Sequence, residues 1–377
     1  MRTALMHDRG RAVGRKRMML APAVVAVAVA LSACGGDGGA DAPAASLEGN
    51  DELQALYNAA KEEGAVNLYS HVTASEQIEG FVAAFEEAYP GVEVTITNKT
   101  GSAILETFLS EKRAGRNDAD VIQYPGMAPF QNEFKKEGLI EAYTPTSAEV
   151  FPAESTVPGY AYPWLTYSMG AVYNKDLITE KELELLQTYE GWTDPIWKGR
   201  ISSGSPGSAS IQRALFQWVD QDPKLGEEWL KAFAELKPVP FNSITPAAER
   251  VIAGEFVASF PQMAVSAARA IPEGAPIGWV TQEYTVTNPA LVAVASKAPH
   301  PNAAKLLMEF HLSEAGQKAM VESVAADTLR TDLDIQALEH EDFEAPEKLV
   351  VVDETLVSER GKQVVDLWNR LIGPGAS

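Results

Sequence analysis

The sequence predicts an α/β chain built as two lobes, each a mostly parallel sheet flanked by helices, and three observations carry that expectation. From Val66 onward, short β-rich runs alternate with amphipathic helical periods, the pattern of βαβ units. A Pro-rich stretch from Tyr143 to Pro163 breaks the alternation, and a second α/β section opens after it. The chain has 377 residues, and the 344 that follow its first 33 are too many for one hydrophobic core.

The leading segment stands apart. Arg9, Arg11, Arg15, Lys16 and Arg17 precede an uncharged run from Met18 to Ala33, the basic and apolar regions of an export signal. Its 16 residues, interrupted by Pro22, fall short of the ~20 needed to span a bilayer. Leu31-Ser32-Ala33-Cys34 has the form of a bacterial lipobox, and Cys34 is the only cysteine of the chain. We expect residues 1–33 to be removed and Cys34 to be acylated. Two or more acyl chains at ~0.8 kcal/mol per buried CH₂ would then hold the protein at the membrane. Residues 35–46 are Gly, Ala, Asp, Pro and Ser, a flexible tether, so that 34–50 reads as lipidated cysteine plus linker.

Charge narrows the function classes. The formal net charge is −21, and six Lys/Arg against Asp8 in the leading segment leave −26 on the remainder. Without a basic patch, nucleic-acid binding is not expected, and one cysteine rules out a disulfide scaffold.

Val66 to Tyr69 reads as a buried strand, and Ser75 to Tyr89 as a helix with Ile78, Phe81, Val82, Phe85 and Tyr89 on one face. A strand at Val92 to Thr97, a helix at Ser102 to Arg113, a strand over Asp120 to Gln123 and a helix over Pro129 to Glu137 complete the first section. Another strand is expected at Ser168 to Tyr173. The second section runs from Gly199-Arg200-Ile201 through helices at Ser210 to Val219 and Gly226 to Leu236, then Ala247 to Ala253 with Thr245 as N-cap and Pro246 at N1. A last helix spans Ser358 to Ile372.

Ligands of parallel sheets sit beyond the carboxyl ends of the strands, which directs attention to four loops. They are Ser70-His71-Val72-Thr73, Lys99-Thr100-Gly101-Ser102, Gln123-Tyr124-Pro125-Gly126, and Ser202 through Ser208-Ala209-Ser210. Hydroxyls and free N–H groups where helices begin suit a carboxylate, phosphate or phosphonate. Helix capping is the competing reading, and Thr73 with Glu76 forms a capping box. Five serines and two glycines in nine positions exceed what capping needs in the fourth loop, where a flexible linker is the rival. His71 is the one histidine on these loops; Tyr167, with Tyr162 and Trp164, either stacks on a ligand or packs in the core. His300 reads as part of a loop before a helix. No Gly-x-Ser-x-Gly elbow, phosphate-binding loop or His-Glu-x-x-His helix occurs, so neither an enzyme nor a bound cofactor is expected.

Five segments resemble the bacterial extracellular solute-binding proteins of ABC importers, in the ferric-iron-binding-protein-like branch. They are Leu56 to Ser70, Phe85 to Val94, Ala114 to Val121, Val172-Tyr173-Asn174, and Ala298 to Gln317. The resemblance implies a type II periplasmic-binding-protein-like fold with two interlobe crossings. It places one lobe at 51–155 plus 285–330 and the other at 156–284 plus 331–377. It also implies a hydrogen-bonding anion site at Ser208, Ala209, Ser210, Asn242 with Ser243, and Gln262. The adjacent tyrosines that ligate ferric iron in that branch correspond here to Ala264 and Val265, and the carboxylate after the third strand falls at Gln123 to Pro125.

The expected function is therefore capture of a small, anionic solute by lobe closure and its delivery to a membrane permease by a monomeric, exported lipoprotein. A free phosphonate, phosphate ester or carboxylate is the first expectation for the ligand, with no protein-held metal. Ferric iron or an iron complex is the alternative, and a secreted enzyme or sensor on the same scaffold is the alternative of another class.

Overall fold

The computed structural model describes residues 50–72, 74–207, 210–333, 348–351 and 354–375. The export segment, Cys34 and the tether lie outside the described residues, as do Thr73, Ser208 and Ala209.

In chain order the first section comprises α1 (Asp51–Glu63), β1 (Ala65–Ser70), α2 (Ser75–Ala88), β2 (Glu93–Asn98), α3 (Gly101–Arg113), β3 (Val121–Pro125) and β4 (Ala161–Leu165). Next come β5 (Met169–Asn174), α4 (Glu180–Leu186), β6 (Ile201–Gly204), α5 (Ser210–Gln221), α6 (Gly226–Glu235), β7 (Val239–Phe241), α7 (Ile244–Ile252), β8 (Ala258–Met263), α8 (Ala264–Ala270) and β9 (Ile277–Thr281). The chain closes with β10 (Tyr284–Thr287), β11 (Ala290–Val294), α9 (Pro301–Leu312), α10 (Glu314–Val324), β12 (Lys348–Val351) and α11 (Glu354–Leu371).

Two five-stranded sheets form the two lobes, ordered β2-β1-β3-β11-β4 and β7-β6-β8-β5-β9. In each, four strands run one way and one runs against them, β11 in the first and β5 in the second. Those reversed strands are the first ones laid down after the chain has come over from the other sheet. The crossings are Thr166–Ser168, between β4 and β5, and the β10 segment leading to β11. A bridge between Ser168 and Thr287, with a hydroxyl contact between Thr166 and Thr287, ties the two crossings together.

β4 pairs with β11 in the first sheet, so that sheet extends beyond the boundary expected at residue 155. The Pro-rich stretch misled because Pro163 sits inside β4, at a register irregularity beside Leu291 where a strand tolerates the missing donor. The helix expected over Pro129 to Glu137 is a single wide turn, Phe130–Phe134, whose two rings pack edge-on at 5.0 Å. Likewise α7 starts three residues before the expected Ala247. Ser243 is its cap, accepting from the Thr245 N–H at 3.4 Å, and Pro246 sits in the first turn, where backbone N–H groups lack helical partners anyway.

Each sheet is covered on both faces. In the first lobe Phe81, Phe85, Trp164 and Phe310 form one core and Phe108, Phe130 and Phe134 the other. In the second, Trp192, Phe216, Phe233 and Phe260 pack on one side and Val251, Ile277 and Trp279 on the other. The chain ends on the second lobe, with α11 against α5 and α6.

Candidate functional site

The parallel arrangement of β1, β2 and β3 brings their carboxyl ends to one edge of the first lobe, where Ser70, Asn98 and Gln123 lie. Ser70 is fully buried and its Oγ accepts from the Val72 N–H at 3.2 Å. Thr100 stands at the N-cap position of α3, exposed, with no capping bond from its side chain. Gly101 opens that helix against β3: a Cβ there would lie 3.1 Å from Cγ of Pro125, so a larger residue would require the proline ring to give by a few tenths of an ångström. Ser102 is the second residue of α3.

Gln123 faces the core. Its Nε2 lies 2.7 Å from Nε2 of the fully buried His311, whose Nδ1–H donates to the Leu307 carbonyl at 2.6 Å. That bond fixes the tautomer: Nε2 of His311 is the acceptor and the Gln123 amide the donor. Oε1 of Gln123, the indole N–H of Trp164 and both ring nitrogens of His71 are buried without a hydrogen-bond partner. Trp164 packs edge-on against both His71 and His311, at 6.0 and 5.5 Å between ring centres. Burial holds both imidazoles neutral, lowering each pKa to about 4. Trp164 and Tyr162 are core residues. His300 precedes α9, as expected of a loop residue, and binds the buried Asp120 through its backbone N–H at 2.7 Å and Nδ1 at 2.8 Å.

In the second lobe β6, β7 and β8 are parallel, and their carboxyl ends form the matching edge. Ser202 and Ser203, expected in a loop, are fully buried residues of β6 itself, a position set by the pairing of Ser202 with Val239 and Ser259. Ser210 begins α5. Asn242 is exposed, but its amide donates to the Gly375 carbonyl at 2.7 Å, so the C-terminal segment engages it. Gln262 is buried in β8, its Nε2 donating to Oγ of Ser259 at 2.9 Å. Ala74 stands at the N-cap position of α2 and makes no side-chain bond there, while the capping box expected of Thr73 with Glu76 lies outside the described residues.

A pocket of about 360 Å³ opens between the lobes. Gln77 of α2 contributes from the first lobe, α7 and α8 from the second, and Tyr167 from the crossing between them. Tyr167 packs against the cores of both lobes. Its phenol is pushed up to about 12 by burial, an effect that the positive charge of Arg269 opposes. Along α7, Ile244, Ala248 and Ile252 recur every four residues and Thr245 and Glu249 follow the same spacing, so one helical face lines the pocket. On α8, Val265 and Arg269 are likewise four apart and both face it.

Of the residues singled out in the sequence, Tyr167 lines this pocket; Ser70, Thr100, Gln123, Asn242 and Gln262 lie off its wall. Sequence reasoning passed over Arg269, Met263 and the α7 stripe. The four-residue spacing of Ile244, Ala248 and Ile252 was the signal available. Among the described residues no three of His, Cys, Asp and Glu gather closely enough to hold a metal ion, and no helix is long and apolar enough to cross a membrane.

Residues 80–334 match the family model described as bacterial extracellular solute-binding protein. The chain belongs to that family. Such proteins bind a small solute outside the cell. Iron uptake protein A1 of Synechocystis is 26% identical over 316 residues, covering 78% of this chain and 79% of that protein. Trichodesmium FutA (IdiA), solved with iron and citrate ligands, has a TM-score of 0.66 at 19% identity, covering 82% of this chain and 100% of the other. Iron-bound HitA of Pseudomonas aeruginosa has a TM-score of 0.61 at 17% identity, covering 81% of this chain and 99% of the other. At such identities the two structures show the shared fold, the two-lobed type II architecture.

Proposed function

We propose that this solute-binding protein captures ferric iron already enclosed in an organic acid and passes the complex to an ABC permease. The relatives favour iron over the free phosphonate, phosphate ester or carboxylate that the loops suggested. One is an iron uptake protein and another holds iron together with citrate.

The observation that carries the reading is the side-chain chemistry of the interlobe pocket. Ferric iron is a hard cation that requires anionic oxygen ligands. Where the resemblance puts two adjacent tyrosines, this chain has the buried methyl of Ala264 and the pocket-lining Val265. Hydrocarbon cannot ligate iron, and Glu249 and the Tyr167 phenol alone do not complete an oxygen ligand set, so most of the donors must arrive with the cargo. Lobe closure then clamps the organic shell of the complex, and Tyr167, packed on both cores, stands where the lobes meet. Anchoring through acylated Cys34 keeps the exported protein beside its permease.

Loading tests the proposal. Protein dialysed against ferric nitrilotriacetate and against ferric citrate should retain iron only together with the organic acid, in equal amounts. Iron retained alone, with a visible phenolate-to-iron charge-transfer band, would contradict it.

A further inference from the structure

We infer that the pocket between the lobes selects an amphipathic organic anion, with Arg269 binding its anionic group and the α7–α8 wall covering an apolar, ring-sized portion. This inference rests on the iron-complex reading and names the class of the organic shell.

Size sets the first limit. About 360 Å³ lies at the lower end of the range for organic-ligand pockets and far exceeds what one metal ion fills. Composition sets the second. Ile244, Ile252, Met263 and Val265 are each half-buried, so hydrocarbon remains for a ligand to cover. A compact, strongly hydrated polyanion gains nothing from such a wall and would lose its hydration against it. A planar aromatic acid can lay its ring on the same surface.

Charge sets the third limit. Arg269 lines the pocket and is exposed, and it makes no ion pair among the described residues. Tyr167 lines the same pocket, and the guanidinium charge acts on its phenol. A guanidinium beside a phenol O–H is a donor set for a carboxylate. Glu249, also on the wall, repels a second anionic group and instead accepts from a ligand hydroxyl. One anionic group, one apolar ring and hydroxyls able to reach a metal together describe a hydroxylated aromatic acid. Its phenolic oxygens would supply the iron with the donors that Ala264 and Val265 lack.

The probe is 2,3-dihydroxybenzoate, alone and with ferric iron, compared by calorimetry with ferric citrate and ferric nitrilotriacetate. The wild type should bind ferric dihydroxybenzoate at least about 10-fold more tightly than ferric citrate. Arg269→Gln should weaken that binding by about 10–100-fold and Arg269→Lys by less, the range for losing a charge-assisted hydrogen bond. Because Arg269 is exposed, both variants should melt at the wild-type temperature. Wild-type affinity in Arg269→Gln, or preference for ferric citrate, overturns the inference while leaving an iron complex as cargo. Retention of iron without any of the three acids overturns the iron-complex reading itself. Equal affinity for iron-free dihydroxybenzoate supports the pocket chemistry and removes iron from the cargo.

Discussion

A buried imidazole is a pH-dependent element of stability, and His311 shows how the sign follows from its surroundings. It is fully buried, and its Nδ1–H is committed to the Leu307 carbonyl while Nε2 accepts from Gln123. Burial lowers its pKa to about 4, against about 6.5 in the unfolded chain. The unfolded state therefore binds the proton more readily, so stability falls as pH drops from about 6.5 towards 4. Between pH 7 and pH 4.5 this one group should cost about 2–3 kcal/mol. Urea unfolding at the two pH values measures the loss. His311→Gln should be less stable at pH 7 yet show a smaller loss on acidification; an unchanged pH dependence would dissociate it from His311. None of this was legible in the sequence. Gln123, the partner of His311, lies 188 residues away and is joined to it only by the packing of α9 against β3.

Among the elements, strands and long helices were readable, while junctions and loops were not. Ile78, Phe81, Val82 and Phe85 mark the buried face of α2 in sequence and structure alike, because helical spacing and burial coincide there. Ser202 and Ser203 were taken for loop residues because serine is ordinarily exposed, but pairing with β7 and β8 places them inside a sheet. Glycine spacing hides a further tertiary fact. In β5, a Cβ on Gly170 would lie 2.3 Å from the Trp279 ring and 2.7 Å from the Val280 carbonyl, so β5 and β9 pack across a bare backbone. Gly170→Ala should destabilise the protein by about 1–3 kcal/mol, the range for forcing bulk into a packed site. Gly115, where an added Cβ meets nothing within 4 Å, needs its left-handed φ of 74° rather than space, and is the control for backbone strain alone. A melting temperature for Gly170→Ala equal to wild type would show that the strands shift freely.

At the scale of the molecule, the two-lobed plan was legible because alternation of strand and helix is a local property repeated along the chain. The pocket was not, because it is made by faces of α2, α7 and α8 that meet only when the lobes come together. Carrying the resemblance over by position drew attention to Ala264 and Val265 but gave no sign of Arg269 or the α7 face. Export and anchoring belong to this scale too. Cys34→Ala should move the protein from the membrane fraction to the soluble one, and unchanged detergent-dependent fractionation would speak against acylation at Cys34. A net charge of −26 beyond the leading segment disfavours long-range approach of a bare anion, although a Debye length of ~8 Å in ~0.15 M salt confines that field to the surface. The most direct measurement of the central claim is native mass spectrometry of the protein purified from its own host under iron-replete growth. A bound mass equal to ferric iron plus an organic acid is the result this account predicts. A bound mass of iron alone, or of an iron-free phosphonate or phosphate ester, would contradict it.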